Sequence, residues 1–295
     1  MNTLLYRITF AVWWLLSLLP WRLHYVLSDV VLYPVLRYVL KYRRPLVREN
    51  LALSFPEKDE AELRDIERRF YHWLSDYFVE LIKQASMSPA DVCRHMQFVG
   101  VDAAVADFEA SGCPLAVIYL AHYANWEWFT GFATLVPTAH QPAQIYHPLH
   151  SKVMDRILLR NRNICGAQSI AMKDTLRAVL SARREGRPMY LGFIADQSPK
   201  ANAIRHWMTW MHHDTAVITG AETIGEKVGA VYYYVDVEQV KRGYYRATLK
   251  KLSPTATTGS PFPMTECYMQ AVATSIERDP ALWLWTHRRW KHKRK

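Results

Sequence analysis

From Asp59 to Ser86 the apolar residues Leu63, Ile66, Phe70, Leu74, Tyr77, Phe78 and Leu81 recur at helical spacing, and the opposite positions are charged. The pattern predicts an amphipathic helix packed on a core. Further on, short apolar runs alternate with helical stretches. "LAVIYLA" reads as a buried strand and "NWEWFTGFATLV" as the helix after it. "AQIYHP" is the next strand, followed by helices over "SKVMDRILLRNRN" and "MKDTLRAVLSARREG", the second ending at Gly186. "RPMYLGFIADQ" is another apolar run that ends in acid and amide. "DTAVITGAETIGEKVG" reads as one helix, opened by Asp214 or Thr215 and closed by Gly229. "AVYYYVDVEQV" and "YYRATLKKL" form a hairpin around "KRG", and "MTECYMQAVATSIERDP" is the last helix. The alternation predicts an α/β domain, a mixed central sheet flanked by helices.

The first forty residues break this alternation. Ile8 to Trp21 holds no charge, and a second uncharged run covers Val30 to Leu36. Fourteen positions are short of the roughly 20 that a simple spanning helix needs. Tryptophans, tyrosines and flanking arginines suit interfacial anchoring. The segment is expected to be a retained N-terminal membrane-anchoring helical segment, residues 1–40, before one catalytic domain, residues 41–295. Whether it spans or dips in and returns at Pro20 stays open.

Charge sharpens that expectation. The net charge is +10, with seven Lys/Arg in residues 1–50 and six in the closing "HRRWKHKRK". Basic groups thus flank the apolar segment and the far end, which suits an anionic lipid surface. The four cysteines show no CxxC or matched spacing, so neither a disulfide framework nor a zinc site is indicated.

For chemistry, His122 and Glu127 follow directly on the "LAVIYLA" strand, where open α/β sheets hold their ligands. On one helix, residues five apart sit roughly 140° apart. With His122 on the strand-end loop and Glu127 in the first helical turn, the two can converge. Imidazole would then take a proton from an attacking hydroxyl while the carboxylate fixes its tautomer. GxSxG, HExxH and Walker sequences are absent from the chain. "HHD", His212 to Asp214, reads as a loop and helix cap. Arg162, Asp196 and Gln197 end or follow predicted elements and could line the same mouth.

Taken in order, the apolar N-terminus, "RRPLVRENLALSFPE", "HYANWE", "DRILLRNRNICG", "FIADQSP", "DTAVITGAE" and "ERDPALWLWTHRRWK" resemble the late acyltransferases of lipid A biosynthesis in Gram-negative bacteria. The resemblance implies an inner-membrane enzyme, its site at the cytoplasmic face. Such an enzyme moves a fatty acyl chain from acyl carrier protein, or less often coenzyme A, to a hydroxyl of a lipid A precursor. It implies His122 as general base, Glu127 as its orienter, and Arg162, Asp196 and Gln197 at the substrate. Asn125, with nearby amides, is a candidate oxyanion donor. No metal or cofactor beyond the acyl donor is implied, and no nucleic acid. His147 stands where the family often has arginine, and "WMHHD" replaces its usual Phe-Phe-Gly. These departures leave the acceptor open, a lysophospholipid or acylated amino-acid lipid included, and a non-catalytic lipid-binding protein is the rival from another class.

Overall fold

A computed structural model describes residues 3–254 and 259–294. Met1 and Asn2 of the expected anchor, and Lys295 of the basic tail, lie outside the described residues.

The sheet has seven strands: β1 (Met96–Val99), β2 (Leu115–Leu120), β3 (Gln141–Tyr146), β4 (Gln168–Ala171), β5 (Met189–Ile194), β8 (Ala230–Lys241) and β9 (Tyr244–Lys251). They run in the order β1-β9-β8-β2-β5-β3-β4. β8, β2, β5, β3 and β4 are mutually parallel, β9 is antiparallel to β8, and β1 is parallel to β9. All six residues of β2 are buried, as a central strand covered on both faces requires. β2 and β5 lie side by side in register, Leu120 opposite Ile194, so the residues just beyond them emerge at one edge of the sheet.

Before the sheet come α1 (Thr3–Ser17), α2 (Trp21–Leu27), two wide π-type turns at Ser28–Leu32 and Val35–Val39, α3 (Arg44–Ser54), α4 (Glu60–Lys83) and α5 (Pro89–His95). α4 is the amphipathic helix expected from the pattern. Asp59 accepts from the Glu62 amide while Glu62 reaches back to the Asp59 amide, a reciprocal capping box. Its buried face carries carboxylates as well as apolar groups, Glu67 and Glu80 among Phe70, Tyr71, Trp73 and Leu74. The other helices are α6 (Val101–Ser111), α7 (Lys152–Arg162), α8 (Thr175–Arg184), α9 (Gly220–Val228) and α10 (Pro263–Arg278).

Among the described residues no single helix is long and apolar enough to cross a membrane; Thr3–Ser17 and Trp21–Val39 meet the length and composition only as a pair bent by 109°. α1 is held against α7 by Arg156 over the Tyr6 ring at 4.0 Å and Arg160 over Phe10 at 4.6 Å.

Two elements differ from the expectation. "DTAVITGAETIGEKVG" is not one helix. Its first part is β7 (His213–Val217), paired antiparallel with β6 (His206–Trp210), and α9 starts only at Gly220. The β-branched Thr215 and Val217 favour the strand. Met211 and His212, both at positive φ (48° and 65°), make the two-residue turn of this hairpin. "HHD" is therefore one turn residue, His212, followed by two strand residues, and alternation along β7 sends His213 and Asp214 to opposite faces. The second difference is "NWEWFTGFATLV", which forms a 3₁₀ helix over Trp126–Thr134. A three-residue repeat explains the tighter pitch. Trp126, Phe129 and Phe132 fall in one column, and Phe129 stacks on Phe132 at 5.1 Å.

Candidate functional site

The site lies where β2 and β5 end. β2 delivers His122, half-exposed, and β5 delivers Asp196, fully buried. The His122 Nδ1 lies 2.8 Å from Asp196 Oδ1, and the His122 amide donates to Oδ2 at 3.0 Å. The Trp283 indole also donates to Oδ2, at 2.7 Å. Burial works to raise the pKa of Asp196, but His122 and the indole outweigh it and hold the carboxyl below its usual range. An ionised carboxylate only accepts, so Nδ1 of His122 carries a proton, and in the neutral form of the ring Nε2 is the acceptor.

A strap from the C-terminus fixes this loop. Ala124 donates to the Leu282 carbonyl at 2.8 Å, Leu284 donates to the His122 carbonyl at 3.1 Å, and Tyr123 bridges Trp283. Ala124 itself sits at φ +53°. A left-handed alanine costs roughly 1–2 kcal/mol, so the strap holds the turn in a conformation the chain would not choose alone. Tyr268 of α10 ties the two strand ends together, donating to the Leu120 carbonyl at 2.7 Å and accepting from the Ala195 amide at 3.3 Å.

Glu127 is not the partner of His122. The same 3₁₀ repeat that stacks the aromatics also puts Glu127 and Thr130 one above the other, facing α7. Arg162 grips both Glu127 oxygens, Nε to Oε2 at 2.8 Å and Nη2 to Oε1 at 2.6 Å. Thr130 donates to the Arg162 carbonyl at 2.6 Å. Burial disfavours the charge on Arg162, but Glu127 more than offsets this and keeps the guanidinium more firmly protonated than usual. Asp196 rather than Glu127 therefore bonds the His122 ring, and Glu127 engages Arg162 at its Nε and Nη2.

Asn125 is likewise committed. Its Oδ1 caps the 3₁₀ helix at the Trp128 amide, and its Nδ2 donates to Glu80 at 2.7 Å. It is 1 % exposed, so its side chain is a structural cap and not an oxyanion donor. Glu80 also accepts from Tyr25 at 3.1 Å and from Tyr245 at 2.9 Å. Full burial pushes its carboxyl up to about 7, against those donors. Gln197 is half-buried beside Asp196. His147 lies in the exposed loop after β3, its Nδ1 3.0 Å from the Pro148 carbonyl.

Two further groups line the back of the site. Burial pushes His287 down to about 4, so it is neutral at physiological pH. Arg289 is lowered to about 10 by burial and donates to the Ala216 carbonyl at 2.8 Å. It stays charged, and its field favours the ionised Asp196.

Trp283, Tyr268 and Glu80 were not anticipated from sequence. Trp283 stands within "ALWLW", and Glu80 is an acid at a buried-face position of an amphipathic helix. A polar residue at an apolar position of such a pattern was the available signal.

An imidazole held at Nδ1 by a buried carboxylate, with its second nitrogen open, is in its neutral form equipped to take a proton from a hydroxyl. Compared with known proteins, the chain matches the family model described as bacterial lipid A biosynthesis acyltransferase over residues 2–292. No curated protein matches it.

Proposed function

The chain belongs to the bacterial lipid A biosynthesis acyltransferase family, and on that premise we propose that it moves a fatty acyl chain from acyl carrier protein, or a coenzyme A thioester, to a hydroxyl of a lipid A precursor. It is an acyltransferase; donor, acceptor and mechanism are our reading. The observation that carries the mechanism is the Asp196–His122 hydrogen bond at 2.8 Å.

His122 Nε2 takes the proton of the acceptor hydroxyl as its oxygen attacks the thioester carbonyl. The carbonyl oxygen becomes an oxyanion, the tetrahedral adduct expels the thiolate, and the imidazolium returns its proton to that sulfur. Asp196 holds the ring and stabilises the imidazolium. The Trp126 and Glu127 backbone amides, without acceptors inside their 3₁₀ helix, are the donors we assign to the oxyanion. The Glu127–Arg162 pair fixes α7 against this turn. The enzyme needs no nucleophile of its own.

Leu4, Leu5, Ile8, Val12 and Leu15 of α1 are exposed, as are Val30, Val31, Val39 and Leu40 beyond α2. So large an exposed apolar surface supports attachment to a membrane, and the bend and docking of α1 support a segment that lies in one leaflet. We place the enzyme at the cytoplasmic face of the inner membrane, where lipid acceptor and acidic carrier meet a +10 chain.

The test is acyl transfer by purified full-length protein from acyl carrier protein or acyl-coenzyme A to lipid acceptors, with products identified by mass spectrometry. His122→Ala should lower the rate by about a thousandfold and leave the circular dichroism unchanged. Transfer at an undiminished rate by His122→Ala would overturn the mechanism.

A further inference from the structure

At the start of α3, several arginines converge on a single carboxylate. Glu67 of α4 is 1 % exposed. Arg44 Nε meets its Oε1 and Arg48 Nε its Oε2, each at 2.6 Å, and Arg37 Nε lies 3.9 Å from Oε1. Three guanidiniums against one carboxylate leave an excess of two positive charges. Arg37 is itself more than nine-tenths buried, with Nη1 on the Tyr33 hydroxyl and no hydrogen-bond partner for Nε among the described residues. Arg37 is the buried member, whereas the Arg44 and Arg48 side chains, 23 % and 53 % exposed, reach the surface where an anion can meet them.

Two neighbours say what the surplus faces. On one side, Tyr38, Val39, Leu40 and Tyr42 form part of the exposed apolar surface, with Val39 72 % exposed. On the other side, Arg43 donates to the Thr286 carbonyl at 2.8 Å, and Asn50 donates to the carbonyls of Trp285 at 2.8 Å and His287 at 3.0 Å. These are residues of the strap that pairs with His122. The arginines therefore stand between the apolar surface and the catalytic loop.

We propose that Arg44 and Arg48, supported by Arg37 and Arg43, form a subsite for a phosphate on the headgroup of the lipid acceptor. The word acceptor rests on the acyltransferase reading; the phosphate site does not. With Nε turned to Glu67, Arg44 and Arg48 each keep their Nη donors for a second anion, and paired guanidinium edges suit phosphate oxygens. A phosphate monoester carries about −1.5 to −2 at neutral pH, matching the surplus. Acyl chains would lie along the apolar surface and the headgroup would reach toward His122.

Isothermal titration of the full-length protein in neutral maltoside micelles tests this with three probes: dioctanoyl phosphatidate, dioctanoylglycerol and inorganic phosphate. Phosphatidate should bind at least about tenfold more tightly than either of the others. Arg48→Gln should weaken phosphatidate by about tenfold. Arg48→Lys, which keeps charge but loses the fork, should weaken it less, and it carries the test if the glutamine variant does not fold. Arg64→Gln, at an exposed arginine of α4 paired with Glu60 at 2.7 Å, should change nothing. Equal binding of dioctanoylglycerol, an unaffected Arg48→Gln, or an equal loss in Arg64→Gln would each overturn the subsite. Inorganic phosphate binding as tightly as phosphatidate would overturn its assignment to a lipid. His122→Ala should keep wild-type phosphatidate affinity, so failure of acyl transfer and failure of the subsite remain distinguishable.

Discussion

Replacing Asp196 by asparagine removes one charge and almost no volume, and its effect follows from the three donors that converge there. Two of them, the His122 amide at 3.0 Å and the Trp283 indole at 2.7 Å, point at Oδ2; His122 Nδ1 alone faces Oδ1 at 2.8 Å. An asparagine must put its NH2 on one side. Facing Oδ2's partners, it would oppose two donors, each left unsatisfied at a cost of about 1–3 kcal/mol. Facing His122 Nδ1, it opposes one, and the imidazole relieves that by moving its proton to Nε2. The second arrangement wins. The ring then presents N–H instead of a lone pair to the acceptor hydroxyl, and the base is lost while the fold is kept. The same exchange in a Ser-His-Asp triad lowers kcat by roughly 10⁴, and Asp196→Asn should lower acyl transfer by roughly 10³ to 10⁴. The assay is initial rate with labelled acyl donor, beside thermal melting and the ¹⁵N shifts of the His122 ring, which report the tautomer. A folded Asp196→Asn protein retaining more than about a tenth of wild-type kcat would refute the assignment.

Glu127→Gln and Arg162→Gln should each destabilise the protein by about 3 kcal/mol, because each strands a largely buried charge. The double variant should lose clearly less than their sum, and additive losses by urea denaturation would show that the pair is not coupled. Glu80 has a folded value of about 7 against an ordinary 4.5. The folded state thus holds the proton more tightly, and stability drains away as pH rises from 4.5 through about 7, by roughly 3 kcal/mol in all. Glu80→Gln should flatten that dependence and gain relative to wild type at pH 8; parallel melting curves from pH 5 to 8 would count against a raised Glu80.

Much of the scaffold was legible because its signals are local. The helix at Glu60–Lys83 announces itself through apolar period and the Asp59–Glu62 box, and the all-buried "LAVIYL" reads as a central strand without knowledge of its neighbours. The β6–β7 hairpin was hidden because its turn is Met-His, lacking the Asn-Gly or Asp-Gly that usually marks two positive-φ positions.

The site was legible in its members and not in its pairings. His122, Glu127, Arg162 and Asp196 all end or follow apolar segments, which singles them out one at a time. Proximity in sequence then favoured His122 with Glu127, five residues apart. The actual partner is 74 residues away and becomes a neighbour only because β2 and β5 lie side by side. Equally, a 3₁₀ rather than an α pitch after Asn125 turns Glu127 toward α7, a difference signalled only by the three-residue spacing of Trp126, Phe129 and Phe132. The two carboxylates thus divide the work by environment. Asp196, fully buried and surrounded by donors, holds the His122 ring at Nδ1. Glu127, clasped from both sides by one guanidinium, holds a helix in place. Asparagine at 196 and glutamine at 127 should therefore fail in different ways, the first in rate and the second first of all in stability.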